Sequence, residues 1–261
     1  STGLPLEGPQ PGSSFADLLR SLELDPQWAV PGGTRPTDLP APEATTVMAL
    51  RFNGGVVMVG DRQATEGYTV AHRRMQKVFA ADAYSAIAIS GTAGLAIEMA
   101  RLFQTELEHY EKLEGVRLSL DGKANFLARL VRQHLSLAFQ GLVVVPLFCG
   151  FEPSTASGHV FTFDVVGGRY EEHDFGATGS GSREARSYLR TVHDPDADMA
   201  GAVDHAMEAL VTAAEQDVAT GGPDIRRGIY PNVVTVTAEG LRDLPEAQVA
   251  AAAERALEAV V

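Results

Sequence analysis

Residues 45–61 read TTVMALRFNGGVVMVGD, and this stretch decides the fold class. Two runs rich in apolar and β-branched residues flank Asn53-Gly54-Gly55, which predicts a β-hairpin opening a folded domain. The sequence before it has another texture. Residues 1–44 hold eight of the fourteen prolines, several glycines and one short helical candidate, Phe15–Leu24, which Ser13 or Ser14 would cap. They read as a flexible or loosely docked extension.

Downstream, further strands are expected at 77–80 and 84–90, then a helix over Ala93–Leu113 with apolar residues at Leu95, Met99, Leu102, Phe103 and Leu107. A second amphipathic helix is expected over Gly122–Phe139. The run 142–151, LVVVPLFCGF, is apolar enough for a strand buried on both faces, and 159–175 reads as a hairpin around Gly167-Gly168-Arg169. Helices near 183–191 and 198–218, a strand at 232–239 and a helix near 245–260 complete the chain. Strands in runs, separated by pairs of helices, predict an α+β fold. Its expected form is a four-layer αββα sandwich, two sheets faced by helices, rather than alternating βαβ units. The domain division that follows is 1–44 as an extension and 45–261 as one folded domain.

Composition narrows the function classes. The 261 residues carry a net charge of −13 and are 45% hydrophobic, enough for one large core. The extension contributes two basic and six acidic residues, leaving −9 on residues 45–261. Such a surface disfavours nucleic acid or an anionic membrane as the main partner. No run of 18 apolar residues appears, so no spanning helix is expected. The first residues lack the charged and apolar regions of a secretory signal, and a cytoplasmic setting is expected. Cys149 is the only cysteine; it reads as a buried strand thiol and excludes an internal disulfide framework. The seven histidines are scattered without metal-ligand spacing, and His109 and His134 read as ordinary helix residues. There is no GxxxxGK[ST], HExxH or GxSxG. The GSGS at 179–182 lacks the lysine and the length of a phosphate loop.

One positional feature bears on chemistry. A proline-rich extension ends at Ala44 and a strand starts at once with Thr45-Thr46. Cleavage between Ala44 and Thr45 would free an α-amine with a reference pKa of about 7.7–8, on the same residue as the hydroxyl it could activate. Spacing alone leaves both threonines as ordinary strand residues.

Residues 45–65, Lys77, SGTAG (90–94), TELEHYEKLEG (105–115), GKANFLARLVRQHL (122–135), QGLVVVPLFCG (140–150) and DVATGGPDIRRGIYP (217–231) together resemble the proteasome β family, its actinobacterial branch in particular. The resemblance covers nearly all of 45–240, and 1–44 resembles that family's propeptide. It implies a threonine endopeptidase of the N-terminal-nucleophile type. Thr45 would be the nucleophile, Asp61 would hold Lys77, and Lys77 would favour the developing alkoxide. The Gly91 N–H would serve the oxyanion, while Ser180, Asp217 and Thr220 would form a network at the free amine. The substrate pocket would be lined by Ala64, Met75, Phe79, Ile89 and Ala93, favouring cleavage after non-polar residues. The resemblance further implies seven-membered β-rings stacked with rings of α-subunits, unfolded proteins as substrates, and an ATPase or other regulator acting through the α-ring. No metal or organic cofactor is implied.

Two departures stand out. The family has glycine before the catalytic threonine where this chain has Ala44, and Gln63 replaces an arginine common in close relatives. Alanine disfavours the tight turn that self-cleavage needs, by roughly 1 kcal/mol or more. That raises an alternative, a structural ring member that keeps its propeptide and cleaves nothing. A simpler two-ring bacterial protease of the same nucleophile class is opposed by the long extension and the C-terminal helix.

Overall fold

The computed structural model describes residues 45–66 and 69–260. The expected hairpin is there. Thr46–Phe52 (β1) pairs antiparallel with Gly55–Gly60 (β2), with Phe52 opposite Gly55. Gly54 in the turn takes φ 93°, a conformation open to glycine at little cost. Both strands are buried on both faces, and their period of two divides two cores. Val47, Ala49, Val56 and Met58 face one, while Met48, Leu50, Phe52, Val57 and Val59 face another.

The remaining strands are β3 (Ala64–Glu66), β4 (Thr69–His72), β5 (Val78–Asp82), β6 (Ser85–Gly91), β7 (Val144–Glu152), β8 (Ser157–Phe163), β9 (Arg169–Glu172), β10 (Phe175–Gly179), β11 (Asn232–Thr237) and β12 (Gly240–Asp243). Two five-stranded sheets result, β10-β1-β2-β11-β12 and β5-β6-β7-β8-β9, with β3-β4 as a separate hairpin. The helices are α1 (Ala93–Glu114), α2 (Leu120–Gln133), the short α3 (Leu135–Ala138), α4 (Ser182–Val192), α5 (Met199–Gln216) and α6 (Glu246–Val260).

Three apolar layers hold these together. Between the sheets, Val47, Ala49, Val56 and Met58 meet Ala86, Ala88, Leu147, Cys149 and Val160. Outside the first sheet, its Met48, Leu50 and Val57 pack with Ala206, Met207 and Leu210 of α5 and Ala253 of α6. Outside the second, Ile87, Phe148 and Phe161 pack with Met99 and Phe103 of α1 and Leu127 of α2. This is the αββα sandwich. Cys149 lies within β7, fully buried, and burial pushes its thiol up to about 12. No helix among the described residues is long and apolar enough to cross a membrane.

Several boundaries differ from expectation. The helix expected over Gly122–Phe139 starts at Leu120, capped by the Ser119 side chain accepting from the Gly122 N–H, and breaks at His134. The expected hairpin over 159–175 is β8 with β9. Phe175 instead opens β10, which crosses to the first sheet and pairs with β1. Sequence periodicity signals a strand but not the sheet it joins. The hairpin β3-β4 and the strand β12 went unread, being three to four residues long. The helical candidate Phe15–Leu24 and Ala44 lie outside the described residues.

Candidate active site

The strand β1 brings the two threonines to one end of the sandwich. Thr45 precedes the strand and is buried. Its carbonyl accepts from the Ser180 N–H at 3.0 Å. The approach is close because the intervening residue is glycine: Gly179 takes φ 103°, and a Cβ there would run into the Thr45 carbonyl. Thr46, the next residue, is pinned on three sides. Its N–H donates to Asp61 Oδ1 at 2.9 Å, its carbonyl accepts from the Asp61 N–H at 3.0 Å, and its hydroxyl accepts from the Gly181 N–H at 2.9 Å.

Asp61 follows β2 directly and is fully buried. Four donors converge on its carboxylate. Oδ1 takes Thr46 N–H and, at 2.6 Å, Lys77 Nζ; Oδ2 takes Gln63 N–H at 3.2 Å and Gly221 N–H at 3.0 Å. Burial pushes the carboxyl above its ordinary value, against the pull of the Lys77 charge and of the Thr46 and Gly221 amides. Lys77 stands before β5, at the start of the other sheet. Its Nζ also donates to the Gln63 carbonyl, and its own N–H reaches Asn232 Oδ1 at 3.3 Å. The lysine side chain is 2% exposed, and Asp61, the residue expected to hold it, is its carboxylate partner.

The loop after α5 closes the arrangement. Asp217 caps α5; its Oδ1 accepts from the Ala219 N–H at 3.1 Å and its Oδ2 from the Thr220 hydroxyl at 2.6 Å. Thr220 Oγ1 lies 2.6 Å from Thr46 Oγ1. The expected trio of Ser180, Asp217 and Thr220 is thus gathered around the Thr45-Thr46 segment. Ser180 is tied to Thr45 through its main chain, while its side chain is exposed. Gly91 ends β6 with φ 111°, and a Cβ there would strike the Val143 carbonyl, so this backbone requires glycine. Beside it, the hydroxyls of Ser90 and Thr178 share a 3.0 Å hydrogen bond that joins the two sheets.

The five expected pocket residues stand on separate elements. Ala64 in β3 is buried, and Ile89 in β6, 3% exposed, packs into the α1 side of the core. Met75, Phe79 and Ala93 are half-buried and retain surface to offer a ligand. Sequence reading missed Thr46, Gly181, Gly221 and Asn232. Thr46 looked like any β-branched strand residue, and Gly181 lay inside the GSGS dismissed as a phosphate loop. Gln63 was noticed without a role; its main chain serves Asp61 and Lys77, and its Nε2 donates to the Val218 carbonyl at 3.1 Å. Among the described residues no cluster of three or more His, Cys, Asp or Glu side chains could hold a metal ion.

Comparison with known proteins gives one consistent result. The family model described as "Proteasome subunit" matches residues 42–225. A "Proteasome subunit beta" of Acidimicrobium ferrooxidans is 51% identical over 94% of this chain and 90% of its own length. Proteins of the same description match from Jonesia denitrificans, 50% identical over 96% of this chain and 83% of theirs, and from Stackebrandtia nassauensis, 52% identical over 92% and 88%.

Proposed function

The chain belongs to the proteasome family, and from that premise we propose that it is a core-particle β-subunit acting as a threonine endopeptidase. The observation that carries this reading is the buried Asp61–Lys77 pair, hydrogen-bonded to the amide that follows Thr45. Cleavage after Ala44 leaves Thr45 with a free α-amine. That amine takes the hydroxyl proton as Oγ1 attacks the substrate carbonyl, then passes it to the nitrogen of the scissile bond, which leaves as an amine while the acyl half stays on Oγ1 as an ester. Water then hydrolyses the ester and restores the hydroxyl. Lys77 stabilises the charge growing on the attacking oxygen, and the Gly91 N–H faces the substrate oxyanion. Met75, Phe79 and Ala93 offer mainly apolar surface for a non-polar residue before the scissile bond, with Ala64 and Ile89 backing them. The subunits assemble in stacked seven-membered rings with α-subunits, a regulator feeds unfolded chains through the α-ring, and residues 1–44 are the propeptide.

Ala44 favours a second reading, a ring member that retains its extension and cleaves nothing. The two separate cleanly. Mass spectrometry of the assembled particle should find Thr45 at the N-terminus, and Thr45→Ala should assemble yet hydrolyse no fluorogenic peptide. Retention of residues 1–44 with no wild-type hydrolysis would establish the structural reading instead. Turnover by Thr45→Ala particles would remove Thr45 from the chemistry.

A further inference from the structure

Thr46 is the residue that the functional reading leaves without a task, although it has more partners in the site than Thr45. Its hydroxyl stands between a main-chain donor and a second hydroxyl, and chemistry fixes the direction of every proton in the row. Asp217 Oδ2 can only accept, so Thr220 Oγ1 donates to it at 2.6 Å. Thr220 has then used its one hydrogen, so the 2.6 Å contact between hydroxyls must be Thr46 donating to Thr220. Thr46 Oγ1 in turn accepts from the Gly181 N–H at 2.9 Å. The result is an ordered chain from the cap of α4, through Thr46 and Thr220, to the carboxylate at the end of α5.

Space around the chain is closed as well. Thr46 is fully buried and Thr220 nearly so. A Cβ at Gly181 would stand 2.5 Å from Thr220 Oγ1 and 2.8 Å from Thr46 Oγ1. Glycine at 181 is therefore what lets the two hydroxyls meet. The peptide unit joining Thr45 to Thr46 is clamped at both of its polar atoms, the carbonyl by Ser180 and the N–H by Asp61. Thr46 is thus the point where the Asp61–Lys77 pair and the Asp217–Thr220 pair are joined, one through its main chain and the other through its hydroxyl.

We propose that Thr46 is a positioning residue for the hydrolysis, its hydroxyl fixing the Thr45-Thr46 peptide against the Asp217–Thr220 loop so that Thr45 is held in register with Lys77. The proposal rests on the reading of Thr45 as nucleophile. Valine keeps the β-branching and approximate shape of threonine and puts a methyl, which can neither donate nor accept, where the hydroxyl stood. Fully buried hydrogen bonds in a row strengthen one another, so the loss exceeds that of a surface contact.

The test compares wild-type, Thr46→Val and Thr46→Ser particles in peptide hydrolysis, with active sites counted by a covalent threonine-directed inhibitor. Thr46→Val should lower kcat per titrated site about ten- to a hundredfold with KM unchanged, and Thr46→Ser should restore kcat to within about threefold of wild type. A double-mutant cycle with Thr220→Val should be strongly non-additive, because either change cuts the same chain. Wild-type kcat in Thr46→Val overturns the proposal, as does an equal loss in the serine variant. Should Thr46→Val not assemble, Thr220→Val makes the same cut from the other side; if it too fails, the chain serves folding and the proposal falls. A wild-type particle without activity would instead sink the functional reading itself.

Discussion

The strand β5 carries one half of a buried ion pair at each of its ends. Before its first residue, Lys77 donates to Asp61 at 2.6 Å; at its last residue, Asp82 accepts from Lys123 at 2.5 Å. The side chains of the first pair are 2% and 0% exposed, and Lys123 and Asp82 are 4% and 14% exposed. Their lengths are alike, and only the aspartates differ in burial. The larger difference is where the other donors come from. Asp82 also accepts from the Tyr84 N–H and the Ser85 hydroxyl, its neighbours in a turn, so the pair fastens α2 to the β5-β6 hairpin. Asp61 has one such local donor, the Gln63 N–H, and gathers the others from β1, from the residue before β5 and from the loop after α5. A buried charge is therefore no mark of a site by itself. A buried charge on which three distant segments close, next to a candidate nucleophile, is a much stronger one.

The largest expected effect breaks the comparison on activity. Lys77→Ala should reduce peptide hydrolysis by assembled particles about 1000-fold or more, as expected for losing a charge aimed at a developing oxyanion. Lys123→Ala should leave kcat per active site within about twofold of wild type. Equal losses in the two variants would mean that both lysines act only through folding.

Stability should rank them the other way. Removing Lys123 strands Asp82 with only its turn donors, and breaking such a pair costs about 3–5 kcal/mol. Removing Lys77 leaves Asp61 with three main-chain donors, so the cost should be smaller. Urea unfolding of the two full-length variants, read against wild type, gives the order directly. A less stable Lys77→Ala would show that its pair is the main fastening.

The Asp82–Lys123 pair also marks what was legible in the sequence. The hairpin at 45–60, the double-sheet architecture and the long helices followed from periodicity and turn chemistry, because those signals are local. Asp61 and Lys77 came from a resemblance, since a turn aspartate and a lone lysine carry no signal of their own. Lys123 could not be told from a solvent lysine: it lies in the first turn of an amphipathic helix, and its partner is 41 residues away, as 123 − 82 gives. Thr46 was unreadable for a related reason. Its hydroxyl partners, Gly181 and Thr220, reach it only after β10, α4 and α5 have folded back on β1.

The smallest expected effect is in pH, where the two aspartates should differ in sign. Burial pushes the Asp82 carboxyl up, but the Lys123 charge and the hydrogen bonds from Lys123, Ser85 and Tyr84 outweigh it and hold the group below its ordinary 3.8. A carboxyl depressed in the folded state binds its proton more weakly there than in the unfolded chain. Its contribution is therefore present above about 3.8 and is lost as pH falls toward the folded value. For Asp61, burial outweighs Lys77 and raises the folded value above 3.8, so ionisation works against folding. Its linked stability is full below 3.8 and declines as pH rises through the folded value. The measurement is the stability gap between wild type and each aspartate-to-asparagine variant, taken by urea unfolding from pH 7 down to about pH 3. For Asp82→Asn the gap should narrow on acidification, by about 1.4 kcal/mol for each tenfold change in proton affinity between the folded and unfolded states. For Asp61→Asn it should instead move in wild type's favour over the same range. Gaps that change with the same sign would mean that the environments of the two carboxylates are alike, and that the deeper burial of Asp61 does not decide its titration.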